Sequence, residues 1–166
     1  MSAKTAEVVL SLGSNIEDRF GYLQEGFLAV NKLSGFWLTG VSSVYETVPV
    51  DTDAQADFLN AVVVGQTDIP PTDLLFQLLK IETKLGRVRT YRRGPRTLDI
   101  DIISYGQLRQ AGEFLTLPHP RAAARAFVIV PWLEVDPDAS LPGVGKVAYL
   151  EVDASGVRRC PDLVLG

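Results

Sequence analysis

The chain of 166 residues has one cysteine, one histidine, one methionine and two tryptophans. A single thiol, Cys160, cannot form an internal disulfide, and no Cys/His cluster exists to hold zinc. Cys160 also lacks a set of basic neighbours that would make it a nucleophile, so it reads as an incidental small residue. No stretch approaches the ~20 apolar residues of a membrane-spanning helix, and residues 1–7 lack a basic segment followed by an apolar run of signal-peptide length. No G-x-x-x-x-G-K-[ST] loop occurs, which excludes a nucleotide site built on that backbone cradle. Internal repeats, low-complexity tracts and linkers are missing too. Overall basicity is likewise absent: 16 Lys and Arg against 20 Asp and Glu give a net charge of −4, which disfavours nucleic acid and anionic membrane as partners. A cytoplasmic, reducing setting is expected.

What remains is an ordinary globular composition, 46% hydrophobic, of a length suited to one domain over residues 1–166. Its positive charge is concentrated. Between residues 87 and 97 stand Arg87, Arg89, Arg92, Arg93 and Arg96 with no acid among them, followed by Asp99 and Asp101 in an otherwise apolar run. Residues 98–103 alternate as a strand, so a period of two puts Asp99 and Asp101 on one face and Leu98, Ile100 and Ile102 on the other. Their Cα atoms would lie roughly 6.5 Å apart, two steps of strand rise. Carboxylates so placed can hold small hard cations, because magnesium takes oxygen ligands and completes its shell with water and phosphate oxygens. Arginines arriving from the preceding loop offer planar donor forks that match phosphate. Simple surface ion pairs are the plainer reading. Two half-buried carboxylates cost desolvation unless something compensates, and the loop carries more charge than two acids need, so a polyphosphate site is the stronger reading.

The rest of the chain supplies a frame. Residues 8–12 form a buried strand ending at Gly13-Ser14-Asn15; a helix follows with Ile16, Phe20, Leu23, Phe27 and Val30 on one face, capped by Ser14 or Asn15. Residues 36–45 read as a second strand, 46–57 as a loop, and 58–66 as a third strand antiparallel to the second. Asn60 interrupts that apolar strand: its amide would suit a heterocycle bearing lactam and amino groups, or a neighbouring backbone group. A second helix starts at Pro70-Pro71-Thr72, carries Leu74, Leu78, Ile81 and Leu85 on one face and stops at Gly86. Glu82 on that helix either faces a ligand or neutralises Arg87 or Arg89. After the aspartate strand come a short strand at 114–117, the only histidine in Pro118-His119-Pro120, a helix over 121–133 and a strand at 146–152. The order β-α-β-β-α-β, with two helices on one side of a largely antiparallel sheet, is the ferredoxin-like α+β sandwich.

Read as a whole, the sequence resembles the 6-hydroxymethyl-7,8-dihydropterin pyrophosphokinases of folate biosynthesis. The resemblance runs through Leu10-Ser11-Leu12-Gly13-Ser14-Asn15, Ser42-Ser43-Val44-Tyr45-Glu46-Thr47, Phe58-Leu59-Asn60-Ala61, Ile81-Glu82-Thr83-Lys84-Leu85-Gly86-Arg87-Val88-Arg89 and the block Arg92-Arg93-Gly94-Pro95-Arg96-Thr97-Leu98-Asp99-Ile100-Asp101, and on into Pro118-His119-Pro120-Arg121 and Arg125-Ala126-Phe127. The arginine and aspartate block is the specific part. The resemblance implies transfer of pyrophosphate from ATP to a pterin alcohol, by a chain expected to be monomeric, with two magnesium ions held at Asp99 and Asp101. It implies a mobile loop carrying Arg87, Arg89, Arg92 and Arg96 that closes over the triphosphate, with Arg89 and Arg96 catalytic alongside the two aspartates. Glu82, Ile102, Leu115, Thr116, His119 and Arg125 match the ATP side. Gly13, Thr47, Pro49, Val50, Phe58, Asn60 and Phe127 match the pterin side, Phe58 and Phe127 as the rings between which the pterin stacks. Phe58 stands where a tyrosine can occur, Leu79 where a glutamine can contact adenine, and Pro120 where a tyrosine can follow the histidine.

Two other function classes meet the same residues less well. An RNA-binding ferredoxin-like module would need aromatic platforms and a broadly basic sheet, where this one carries Asp99 and Asp101. A simple kinase or phosphohydrolase could use the same carboxylate pair, and would release a different nucleotide.

Overall fold

The computed structural model describes residues 4–48, 57–86 and 97–166. Its centre is an antiparallel sheet built on β1 (Ala6–Ser14), which lies between β4 (Phe58–Thr67) and β5 (Asp99–Tyr105). Along the other edge of β4 run β2 (Phe36–Val41) and β3 (Tyr45–Thr47), and β3 is covered in turn by β10 (Val157–Arg159). Two short ladders, β6 (Gln110–Ala111) with β7 (Thr116–Leu117) and β8 (Ser140–Leu141) with β9 (Gly145–Lys146), stand apart from it.

The apolar run of β1 divides by parity. Val8, Leu10 and Leu12 pack with Leu23, Phe27 and Val30 of α1 (Arg19–Asn31) and Leu74 and Leu78 of α2 (Pro71–Lys84). Val9 points the other way and joins Val62, Val64 and Ile103 under Val128, Ile129 and Trp132 of α3 (Ala126–Val135). Each central strand therefore buries both faces, which explains why these strands are nearly continuous in valine, leucine and isoleucine. The sheet with α1 and α2 on one face is the ferredoxin-like arrangement expected, and α3 adds a third layer on the opposite face. Among the described residues no helix is long and apolar enough to cross a membrane.

Several boundaries differ from the sequence expectation for identifiable reasons. Neither Ser14 nor Asn15 caps α1. Glu17 takes a positive φ of 55°, which breaks the helical path there, and the Asp18 carboxylate accepts from the Gly21 N–H at 3.0 Å as the cap. The strand expected at 36–45 is two strands. Between them Ser42 keeps pace with β4 by other means: its N–H donates to the Val62 carbonyl and its Oγ accepts from the Val62 N–H, both at 2.9 Å. The helix expected at 121–133 is a 3-10 turn, Ala122–Ala124, then α3, parted by Arg125 in extended conformation. The strand expected at 146–152 is β9 followed by a 3-10 turn, Val147–Tyr149. Of 114–117 only Thr116 and Leu117 pair. Gly86 ends α2 as expected, in the left-handed region at φ +87°, where glycine carries no Cβ penalty.

Candidate active site

In an antiparallel ladder, residues directly opposite each other share a face of the sheet. Following the registers sideways links four strands. Thr47 lies opposite Phe58 and Tyr45 opposite Asn60; Asn60 lies opposite Gly13, and Gly13 opposite Asp99; Ser11 lies opposite both Val62 and Asp101. All of these sit on the face that α3 covers. The apolar half of that face, Val9, Val62, Val64 and Ile103, is buried beneath the helix. The other half holds the hydroxyl, amide and carboxylate groups, continuing the same strands past the end of the apolar patch. One polar row thus crosses the sheet from β3 to β5, assembled from residues as far apart in sequence as Ser11 and Asp101.

At the β3–β4 end the row is tightly made. Asn60, 4% exposed, donates from Nδ2 to the Thr47 hydroxyl at 2.6 Å. This leaves the Asn60 carbonyl oxygen aimed across Gly13, where an added Cβ would come within 2.6 Å of it and 3.5 Å of the Phe58 ring. Only glycine lets the amide lie flat over β1 in this way. Asn60 thus has a neighbouring side chain as partner, while its carbonyl edge is directed along the row.

At the β5 end Asp99 and Asp101 are half-buried, with Ile100 and Ile102 turned into the opposite core, as the alternation predicts. His119 and Arg125 approach Asp101: His119 Nε2 is 4.0 Å and Arg125 Nη1 3.9 Å from its Oδ2, beyond hydrogen-bond length but within strong electrostatic reach. The His119 segment is fixed to β5 by its own N–H, which donates to the Ile103 carbonyl at 2.8 Å. Burial, together with the nearby Arg125 and Arg121 charges, pushes the imidazole pKa down to about 4. Near neutrality His119 is therefore uncharged. Its Nδ1 accepts from the Arg121 N–H at 3.2 Å, so the ring proton resides on Nε2, the atom facing Asp101. The Arg125 guanidinium also lies 5.4 Å from the centre of the Phe127 ring, which brings that aromatic residue to the rim of the row.

Asp99 and Asp101 are suited to a divalent cation. Among the described residues no group of three or more His, Cys, Asp or Glu side chains could enclose a metal. Two neighbouring carboxylates leave most of an octahedral shell to other oxygens, and that is how magnesium is held when phosphate supplies them.

The remaining residues expected on the ATP side and described in the structure fall around β5, an edge strand of the sheet. Glu82, 2% exposed, accepts from the Ile100 N–H at 2.6 Å, so the carboxylate ties α2 to the strand that carries the aspartates. Sequence had offered it as a ligand contact or as a neutraliser of arginine; this bond is a third task. Ile102 has its side chain in the core, so its main chain is what it presents, on the same edge as that of Ile100. Leu115 packs partly against the same core and Thr116 is exposed on β7. Arg87, Arg89, Arg92, Arg96, Pro49 and Val50 lie outside the described residues. Tyr45 and Ser11 belong to the row, although sequence reasoning did not single them out. The alternation Tyr45-x-Thr47 and Ser11-x-Gly13 was the signal that could have found them.

The 7,8-dihydro-6-hydroxymethylpterin-pyrophosphokinase family model matches residues 9–137. A Mycobacterium leprae 2-amino-4-hydroxy-6-hydroxymethyldihydropteridine pyrophosphokinase is 47% identical over 155 residues, 87% of this chain and 79% of that one. An Arabidopsis thaliana folate synthesis bifunctional protein is 43% identical over 129 residues, 78% of this chain and 23% of that one. Among solved structures, a Plasmodium falciparum HPPK-DHPS triple mutant superposes with a TM-score of 0.72 at 15% identity, covering 90% of this chain and 43% of that one, a likeness of fold. The match spans every strand and helix of the row from Ser11 to Phe127, and the chain belongs to the 7,8-dihydro-6-hydroxymethylpterin-pyrophosphokinase family, the pyrophosphokinases of folate synthesis.

Proposed function

We propose that the polar row is the active site for transfer of pyrophosphate from ATP to the hydroxymethyl group of 6-hydroxymethyl-7,8-dihydropterin, releasing AMP. The observation that carries this reading is the continuity of the row: a buried amide and hydroxyl at one end, two carboxylates at the other, on one face of one sheet. Asn60 and Thr47 offer paired donor and acceptor groups to the pterin edge, and Phe58 and Phe127 offer ring faces for stacking. Asp99 and Asp101 would hold magnesium, which supplies charge neutralisation to the phosphates and favours loss of the alcohol proton. His119 meets the phosphates as a neutral Nε2–H donor, and Arg125 as a permanent charge beside it. Arg87, Arg89, Arg92 and Arg96 supply further planar donors to the triphosphate, with Arg89 and Arg96 taken as catalytic.

The chemistry asks little covalent work of the protein. The pterin hydroxyl oxygen attacks the β-phosphorus, the bond from that phosphorus to the α–β bridging oxygen breaks, and AMP leaves with that oxygen. Holding two substrates in line and spreading the developing negative charge account for the rate.

Incubation with MgATP and 6-hydroxymethyl-7,8-dihydropterin, followed by identification of the nucleotide product, tests this. Pterin-dependent AMP is expected. ADP would mean a simple kinase, and absence of pterin-dependent turnover would mean a binding role; either would overturn the proposal.

A further inference from the structure

One polar cluster, centred on the exposed Glu134, joins the row only through the buried Tyr45. Glu134, near the C-terminal end of α3, accepts from the Tyr45 hydroxyl, from the Ser43 N–H at 3.0 Å and from the Ser43 hydroxyl at 2.9 Å. Arg159 of β10 donates from Nε to that Ser43 hydroxyl at 3.0 Å. Four elements therefore meet at one carboxylate: α3, the residues joining β2 to β3, β3 itself, and β10.

Its placement suggests a purpose. Tyr45 is directly opposite Asn60 in the ladder and two residues before Thr47, so it lies on the strand that floors the β3–β4 end of the row. Glu134 is seven residues beyond Phe127, two helical turns, and so lies on the same side of α3. The tyrosine–glutamate bond thus joins the element carrying Phe127 to the element carrying Thr47. α3 needs such a fixing. It has only ten residues, no side-chain cap at its start, and Pro131 in its interior, which cannot donate a helical N–H to the Phe127 carbonyl. Packing of Val128, Ile129 and Trp132, with Phe127, Leu133 and Val135 partly buried beside them, holds the helix to the sheet, and the Tyr45–Glu134 bond adds a directional contact near its C-terminal end.

The protonation states are fixed accordingly. Burial pushes the Tyr45 phenol up to about 12, with the Glu134 bond and charge adding to it. Burial also pushes the Glu134 carboxyl up, but the Tyr45 and Ser43 hydrogen bonds and the Arg159 charge more than offset this, and it ends below the ordinary carboxylate range. Across physiological pH the cluster is a phenol donating to a carboxylate, a charge-assisted bond.

We infer that Glu134 and Tyr45 are positioning residues that hold Phe127 at its distance from Phe58 and the Thr47–Asn60 pair, and so set the width of the pterin slot. They touch no substrate. Their loss would weaken the pterin's hold more than the nucleotide's, since Asp99, Asp101 and His119 are anchored separately through β5 and only Arg125, at the start of α3, is shared. This inference rests on the assignment of Thr47, Asn60, Phe58 and Phe127 to the pterin.

The test uses Tyr45→Phe, which keeps the ring and removes only the hydroxyl, and Glu134→Gln, which keeps the shape but removes the charge. Steady-state kinetics with each substrate varied in turn are read beside thermal unfolding. Each variant is expected to raise KM for the pterin alcohol about fivefold, with KM for MgATP and kcat within about twofold of the parent. The double variant is expected to do little more than the worse single, because both act on the same Tyr45–Glu134 contact. Should Glu134→Gln fail to fold, Tyr45→Phe alone decides the matter. An unchanged pterin KM in a folded Tyr45→Phe, or a parallel fall in kcat and in the hold on both substrates, overturns the inference. A parent protein without pterin-dependent AMP production would instead refute the assignment beneath it, so the two failures are told apart by the parent alone.

Discussion

Gly13→Ala probes the row where it is most tightly made. Gly13 is not among the glycines with positive φ, so alanine meets no backbone strain there, and a strand interior gains roughly 0.5–1 kcal/mol from reduced freedom of the unfolded chain. Against this, the new methyl would lie 2.6 Å from the Asn60 carbonyl oxygen, closer than any real contact. The methyl cannot move, being fixed to a central strand, so the amide must. Turning it forfeits the 2.6 Å bond to Thr47 and leaves two buried polar groups short of a partner, a cost of about 1–3 kcal/mol. The net expectation is a loss of about 0–2.5 kcal/mol, within what a marginally stable domain survives. Binding should suffer more than folding. A displaced amide forfeits its bonds to the pterin edge, and each is worth about 0.5–1.5 kcal/mol, so KM for the pterin should rise roughly tenfold or more while KM for MgATP stays put. Urea unfolding and AMP production against pterin concentration measure the two halves. A folded variant with an unchanged pterin KM would show that the Asn60 amide is not oriented toward the substrate, and the reasoning from the row would fail.

Three other outcomes follow from the geometry. Asp101→Asn keeps shape and removes charge; turnover should fall at least ~100-fold with the melting temperature within a few degrees of the parent, and near-normal activity would refute the cation assignment. Glu82→Ala should cost about 2 kcal/mol, or roughly 4–8 °C in melting temperature, by stripping the Ile100 N–H of a buried acceptor, whereas Glu82→Gln should recover most of it; equal losses would mean that charge, not the hydrogen bond, is what matters. His119 makes stability depend on pH. Its pKa is about 4 when folded against an ordinary value near 6.5, so between these values the unfolded chain binds the extra proton; stability should be full above pH 6.5 and fall as pH drops toward 4. In His119→Gln that part of the acid sensitivity, read by denaturation from pH 7 to 4, should vanish.

Much of this was legible in sequence because it depends on parity. Alternation from Leu98 to Ile103 put Asp99 and Asp101 on one face before any fold was known, and the structure agrees. Asn60 stood out for the same reason, as an amide in a run of apolar residues. What could not be read was any feature fixed by a distant partner. Arg125 sits where a helical pattern is interrupted, beside Asp101, a partner far from it in sequence. Three residues from 157 to 159 carry no alternation to speak of and become a strand only because β3 offers an edge. Glu82 showed its charge but not its partner, the Ile100 N–H eighteen residues on. Glu134 was not singled out in the sequence, and gains meaning only once Tyr45 is seen across from it.

Because the polar row is spelled out by ladder register, the chain has no way of making a fraction of it. A slip of one residue between β1 and β4 would turn Asn60 toward α1 and bring Leu59 to the surface in its place. The same slip on β5 would bury both aspartates. Deleting or inserting a single residue within these strands should therefore be far more damaging than doing so in the turn at Gly106 or at Ser155, whatever the residue's chemistry. A library of one-residue deletions, scored for growth of cells that depend on this activity, would trace out the ladders as a map of intolerance. In this protein, competence arrives in a single step with correct strand alignment.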